Sequence, residues 1–223
     1  MSDFTWSYSS LKQYTNCPKQ YHEIRVLKNY TVKENEAMIY GKEVHTALEN
    51  YVRDGVKLAK NYQRFKGMVD SLIAIKGDKM CEYEMALTYN KEPCDFNDKN
   101  RWVRGIADLV IIDGADAYVV DYKTGSNKYP DPKQLKLMAI MMFTHFPEVQ
   151  KIKAGLLFVM KNSFLTEEYH RKNMDKLWKS FELPLKRLET SYDTDEWKAN
   201  PTPLCGWCSV DTCDFYKPRF FPS

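Results

Sequence analysis

Two aspartates and a lysine are spaced for chemistry. Trp102 to Ile112 and Ala117 to Tyr122 read as strands flanking Asp113-Gly114-Ala115-Asp116. Gly114 at the first central position suits a type II′ hairpin turn. With the turn centred between Gly114 and Ala115, the numbers of paired residues sum to 229. Asp108 then stands directly opposite Asp121, with Cβ atoms about 4.5–5.5 Å apart. Lys123, two residues on, shares the face of Asp121. A two- or four-residue loop keeps this register, and a three-residue loop breaks it. Two carboxylates facing each other among Ile106, Ala107, Leu109, Val110, Val119 and Val120 repel one another and lose solvent. A divalent cation resolves the conflict, since Mg²⁺ takes carboxylate, carbonyl and water oxygens. The alternative is that Lys123 neutralises one aspartate while water serves the other.

A histidine joins them as a candidate. Met38, Gly41, His45, Leu48 and Val52 recur at three- and four-residue steps, which predicts a helix over Glu34 to Arg53. His45 lies on its apolar face. A lone histidine there is ordinarily a core residue with one hydrogen bond. Gly41, one turn earlier, lets the helix approach a sheet closely and favours a ligand instead. Glu49, one turn later, reads as a solvated charge.

The elements that must position these groups follow from patterning. A short helix, a Cys17-Pro18 break and more helix cover Ser7 to Arg25, and a further helix runs from Leu58 to Ile75. Cys81 to Tyr89 alternates, with Tyr83, Met85, Leu87 and Tyr89 on one face and Glu82, Glu84, Ala86 and Thr88 on the other. Asp131 caps and Pro132 opens a helix to Phe146. Ile152 to Met160 has the continuous apolar character of a buried strand, and the helix before it makes a right-handed crossover. A polar helix spans Asn173 to Leu188. This order predicts an α/β class, a mixed central sheet flanked by helices.

Composition limits the functions open to the chain. Its 223 residues suffice for a core without staples. The net charge of +3 gives no global basic field, so nucleic-acid contact must come from local patches. Apolar runs reach only seven residues, Leu137 to Phe143 and Ala154 to Met160, against roughly 20 for a spanning helix. The opening Met1-Ser2-Asp3-Phe4-Thr5-Trp6 has no leader character. The expectation is a cytoplasmic protein, in the host cytoplasm if viral.

In that compartment six cysteines are thiols or metal ligands. Cys205-x2-Cys208-x4-Cys213 offers three ligands in a loop flanked by Pro201 and Pro203, and suits zinc or iron–sulfur. Cys17, far upstream, is available as a fourth. Unrelated free thiols remain an alternative, and Cys81 and Cys94 read as ordinary core or loop residues.

Together these residues resemble a known family. Gly105-Ile106-Ala107-Asp108 followed by Asp121-Tyr122-Lys123-Thr124-Gly125 looks like the core of the PD-(D/E)XK nucleases, and more narrowly of their RecB-like exonuclease branch. Gly41 to His45 matches that branch's early-helix histidine, and Gln134 its glutamine after the Asp-x-Lys strand. Ser7-Tyr8-Ser9-Ser10-Leu11 and Cys17-Pro18-Lys19-Gln20-Tyr21 match its opening. The likeness runs from Ser7 to Cys213. One departure is Met138, where the family often has tyrosine; it bears on a substrate contact rather than the metal site.

The resemblance implies a restriction-endonuclease-like core and a divalent-metal-dependent DNA exonuclease. His45, Asp108, Asp121 and the backbone carbonyl of Tyr122 would bind Mg²⁺ or Mn²⁺. Lys123 would position and help deprotonate the attacking water, and Gln134 would orient water or lysine. Glu84, on a neighbouring strand, would support the site from behind. In a subset of the branch, cysteines matching Cys17, Cys205, Cys208 and Cys213 hold a 4Fe–4S cluster, with zinc the alternative occupant. The expected organisation is one nuclease domain over 1–223, in which 1–30 and 195–223 form the cluster-binding part. At 223 residues, with no helicase motor, the chain resembles the small stand-alone nucleases of phages and of CRISPR adaptation. They imply a recombination or adaptation protein as partner; single-stranded DNA ends are the expected substrate, because a compact nuclease core with a cluster-clipped arch admits one strand more easily than a duplex. A catalytically silent DNA-end-binding subunit and a structure-specific endonuclease are the alternatives.

Candidate phosphate-binding patches are Lys57, Lys60, Arg64 and Lys66; Arg171, Lys172, Lys176 and Lys179; and Arg101 with Arg104. Trp6, Tyr8, Tyr14 and Tyr21 either stack unpaired bases or pack around the cysteines.

Overall fold

The computed structural model describes residues 4–32, 34–128 and 130–217. The chain divides into two compact units, one of Met1–Thr5 with Asn35–Ser180, the other of Trp6–Glu34 with Phe181–Ser223. Parts of the expected cluster-binding segments, residues 1–3 and 218–223, lie outside the described residues.

The first unit is built on a six-stranded mixed sheet of order β2-β1-β3-β4-β5-β6. Its strands are β1 (Asp78–Thr88), β2 (Pro93–Cys94), β3 (Arg101–Asp113), β4 (Asp116–Lys123), β5 (Lys151–Phe158) and β6 (Ser163–His170). The β3–β4 hairpin has the expected register: Asp113 pairs with Asp116 and Leu109 with Val120. Gly114 has φ +60°, which a glycine adopts without strain, and Ala115 is not in the left-handed region, as a type II′ turn requires. β4 and β5 pair in parallel, so the helix between them is the expected crossover.

β6 was not foreseen. Its inward residues are Ser163, Leu165, Glu167 and Tyr169 and its outward ones include Phe164 and Thr166, so polarity does not alternate with burial. Inward Glu167 accepts from the Tyr169 hydroxyl, and outward Phe164 lies across Gly155 of β5, where a Cβ would meet the ring at 2.2 Å. Two-residue β2 also went unread. The strand expected over Ile152 to Met160 ends at Phe158, and residues Val159–Lys161 turn as 3₁₀ helix.

Helices α3 (Glu36–Asp54) and α4 (Lys66–Ile73) pack on one side of the sheet. Val44, Leu48, Phe65, Val69 and Leu72 close there on Leu109, Ile111, Val120 and Tyr122, all nearly inaccessible. Asn35 caps α3 by accepting the Met38 amide, and Gly55 ends it at φ +68°. α5 (Lys133–His145) is buried on nearly all sides from Leu135 to Phe143. It begins one residue later than expected: Pro132 holds the cap position, and Asp131 accepts the Lys133 amide.

The second unit holds α1 (Tyr8–Asn16) and α2 (Pro18–Tyr21), which leads into a π turn over His22–Val26. Ser7 and Ser10 form a capping box on α1. α6 (Met174–Thr194) contributes its later turns, where Tyr14 donates to Arg187 O at 2.7 Å. Trp197 stacks on His22 and Tyr21. Among the described residues no helix is long and apolar enough to cross a membrane.

Candidate metal centre

The β3–β4 ladder opens just beyond Leu109–Val120, and Asp108 fills the gap. Its Oδ2 accepts the Tyr122 amide at 2.5 Å, so a side chain replaces the next ladder bond. Its Oδ1 lies 3.3 Å from His45 Nδ1 on α3. The helix reaches this close because of Gly41: a Cβ there would sit 3.1 Å from Thr124 Oγ1, immediately after Lys123.

Strand alternation also changes at this point. Cys81 and its register partner Leu109 pack with the α3–α4 cluster. Two residues along, Tyr83 instead packs in a tilted arrangement against Phe146 at the end of α5, and Gly105 lies under Met141 of α5. Between them Glu82 has φ +48°, a left-handed conformation that costs a non-glycine residue about 1–2 kcal/mol. This irregularity gathers His45, Glu82 and Asp108, whose ligand atoms lie within 4.8 Å of one another. The carboxylate that joins the centre from β1 is therefore Glu82. Glu84, expected to support the site, is exposed and pairs with Ile106, one step farther along the strands.

Asp121 is engaged beside this trio. Gln134 Nε2, in the first turn of α5, donates to its Oδ1 at 2.5 Å, and Lys123 Nζ lies 2.5 Å from its Oδ2. Among the described residues the ligand atoms that converge within 4.8 Å are those of His45, Glu82 and Asp108; Asp121, expected to share the site with His45 and Asp108, is not in that group and is instead engaged by Lys123 and Gln134.

Electrostatics show a strained anionic pocket. Burial pushes the Asp121 carboxyl up to about 6 despite Lys123, and the charge of Asp108 adds to the push. Burial, then Asp108 and Glu49, push Glu82 up to about 6. Burial alone would lower His45, but its hydrogen bond to Asp108 and that carboxylate's charge more than offset it, so His45 is raised. Three carboxylates face one ammonium and one imidazole. Oxygen-rich, charge-crowded and one imidazole strong, this donor set fits a divalent cation such as Mg²⁺ or Mn²⁺.

In the second unit, Cys17, Cys205, Cys208 and Cys213 line one recess with Gln20 and Asn200. Three donors address their sulfurs: Gln20 Nε2 to Cys208 at 3.4 Å, the Asn200 amide to Cys17 at 3.5 Å, and the Thr202 amide to Cys205 at 3.3 Å. Cys81 and Cys94 lie apart on β1 and β2.

The family model of the PD-(D/E)XK nuclease superfamily matches residues 5–213. No curated protein sequence matches the chain. Among solved structures, a provisionally assigned exonuclease from Eubacterium rectale aligns over 98% of this chain and 90% of its own at 10% identity, with a TM-score of 0.53. SSO0001 aligns over 97% and 89% at 11% identity, with a TM-score of 0.49. At 10% identity the likeness to the Eubacterium rectale structure is one of fold.

Proposed function

The chain belongs to the PD-(D/E)XK nuclease superfamily, and from that premise we propose that it is a divalent-metal-dependent exonuclease acting on DNA, with single-stranded ends favoured. The observation that carries this is the side-by-side placement of two devices. The ligand atoms of His45, Glu82 and Asp108 lie within 4.8 Å of one another, and Asp121 is held between Lys123 and Gln134.

His45, Glu82, Asp108 and Asp121, with the Tyr122 carbonyl, would hold Mg²⁺ or Mn²⁺. The cation would supply charge neutralisation at the phosphate and a bound water of lowered pKa. The chain's own groups do the rest. Lys123 places an ammonium beside the reacting phosphate, where it offsets charge developing on the oxygens, and it orients the attacking water. Gln134 fixes the Asp121 carboxylate, which in turn fixes Lys123. Tyr122 holds Asp108 through its amide.

The four cysteines of the second unit are proposed to hold a 4Fe–4S cluster of structural role. Among the described residues no three of their sulfurs approach within 4.8 Å of one another. What supports the proposal is that all four cysteines line one recess; zinc remains the alternative occupant. A RecB-like assignment, a cytoplasmic setting and a role in phage recombination or CRISPR-type end trimming, beside a recombination or adaptation partner, belong to the same proposal.

The test uses anaerobically purified protein, Mn²⁺ and end-labelled single- and double-stranded DNA, beside Asp121→Ala. Progressive loss of labelled strand by the wild type alone supports the reading, and the label gives polarity. Cleavage of covalently closed circles would replace exonuclease by endonuclease. Inert DNA on every substrate, with the protein folded, would leave an end-binding subunit.

A further inference from the structure

Arg64 is the second-to-last residue of the 3₁₀ turn Lys60–Phe65 that leads into α4. Its side chain is exposed, yet three elements hold it. Nη2 donates to the Tyr40 hydroxyl of α3 at 2.9 Å and to the Met160 thioether beyond β5 at 3.2 Å. The Tyr40 hydroxyl donates onward to the same sulfur at 3.6 Å. The guanidinium carbon lies 4.9 Å from the centre of the Phe65 ring. All these partners are neutral. Glu43, nearly one turn along α3 from Tyr40, accepts from Tyr62 instead. Among the described residues no carboxylate pairs with Arg64.

Immobilising an exposed arginine costs side-chain entropy, and neutral acceptors return no ion-pair energy. A cation fixed in this way without an anion is preorganised for one that arrives from solution. Its place says which. Tyr40 precedes Gly41, which packs on Thr124, one residue past Lys123. Met160 lies two residues past Phe158, the register partner of Lys123. The guanidinium is therefore anchored at the carboxyl ends of the parallel pair β4 and β5, the edge at which open α/β sheets bind ligands. His45 is five residues from Tyr40 on the same helix, about 7.5 Å along its axis. That rise corresponds to about two nucleotides of a DNA strand.

We propose that Arg64, oriented by Tyr40 and Met160, is the binding site for a backbone phosphate of the DNA strand lying within a few nucleotides of the bond that is cut. The proposal rests on the nuclease reading and names a positioning residue for it. Nη2 spends its hydrogens within the protein, which leaves Nε–H and both Nη1 hydrogens for the phosphate oxygens.

The experiment compares full-length wild type with Arg64→Ala, Arg64→Lys and Tyr40→Phe. Binding of a labelled single-stranded oligonucleotide is measured without divalent metal across a salt series, and cleavage is measured with Mn²⁺. Arg64→Ala is expected to weaken binding about tenfold, the loss of one charge-assisted contact. It should flatten the salt slope by about 0.7, the value for one phosphate on a single strand. KM should rise while kcat stays within about twofold. Arg64→Lys should recover part of the affinity as a point charge, and Tyr40→Phe should lose part of it with the charge intact. Wild-type binding, salt slope and KM in Arg64→Ala, with cleavage normal, would overturn the proposal and leave the nuclease reading standing. A fall in kcat at unchanged KM would overturn it too. If the wild type itself neither binds nor cuts DNA, the nuclease reading fails and takes this site with it.

Discussion

Gly41 of α3 and Thr124, just past β4, are in contact so tight that a Cβ on the glycine would lie 3.1 Å from Thr124 Oγ1. This contact sets how near His45 comes to Asp108, because His45 follows Gly41 by one turn on the same helix. Gly41→Ala brings a helix-propensity gain of up to about 1 kcal/mol and forces the helix or the threonine aside by a few tenths of an ångström. The expected result is a melting temperature within a few degrees of wild type and Mn²⁺ affinity lowered several-fold. Thr124→Ala removes the clashing oxygen and should restore affinity in the double variant, with a coupling of about 1 kcal/mol by calorimetric titration. Additive effects would show that the helix is positioned by something else.

Glu82 and Glu84 separate cleanly by mutation. Glu82→Gln should lower Mn²⁺ affinity by ten- to a hundredfold and cleavage with it, since it removes one of three groups whose ligand atoms converge within 4.8 Å. Glu84→Gln should change neither by more than about twofold, its carboxylate being exposed beside Ile106. Equal losses in both variants would mean that the acidic face acts as a diffuse field.

These two residues also mark how far the sequence could be read. The hairpin register was legible because two residues close the turn and Gly114 fixes its type; the ladder then stops at Leu109–Val120, one step short of the expected Asp108–Asp121 pair, because the Asp108 side chain accepts the Tyr122 amide instead. His45 was legible from helical spacing and its small neighbour. Glu82 was not, for two physical reasons. The long connection Tyr89–Asn100 leaves the register of β1 on β3 unspecified, so nothing sets which glutamate meets Asp108. The left-handed backbone at Glu82, which interrupts the alternation there, is not a property that glutamate advertises. β6 escaped because its inward positions carry Ser163 and Glu167 while Phe164 faces out over Gly155.

The crowded carboxylates give a pH dependence with a definite sign. Asp121 and Glu82 are both raised to about 6 from ordinary values of 3.8 and 4.5, and His45 is raised from 6.5. Each group binds its proton more tightly folded than unfolded. Its stabilising contribution is therefore complete below the unfolded value and is lost as pH rises through the folded one. The metal-free protein should lose stability from these groups between about pH 4 and 6 for the carboxyls, and above 6.5 for His45. A cation needs the deprotonated forms, so Mn²⁺ should raise the melting temperature more at pH 7.5 than at 5.5. Glu82→Gln lacks one titrating group, and the difference between its melting curve and that of wild type isolates the effect from the rest of the chain. A wild-type advantage over Glu82→Gln that grows with pH in the absence of metal would contradict the assignment.

The cysteine recess makes the last prediction, and it concerns the second unit alone. Cys17 approaches from the α1–α2 break, whereas Cys205, Cys208 and Cys213 come from the far end of the chain, in a loop started by the Thr202 cap. A group held by all four would tie together segments 188 residues apart, from Cys17 to Cys205. Closing so long a loop removes several kcal/mol of unfolded-chain entropy, on the order of 5 kcal/mol in the chain-entropy account. Three amide N–H groups already point at the sulfurs of Cys208, Cys17 and Cys205. Anaerobically purified wild type should therefore carry about four irons per chain with the broad visible absorption of an iron–sulfur cluster. Cys17→Ser, Cys205→Ser, Cys208→Ser and Cys213→Ser should each lose most of that iron and melt at least several degrees lower. Cys81→Ser and Cys94→Ser, on strands of the other unit, should keep both iron and stability. Stoichiometric zinc with no visible absorption would replace the cluster by a single ion. Wild-type melting in all four variants would show four independent thiols, and the ends of the second unit would then be held by packing alone, through Tyr14, Tyr21 and Trp197.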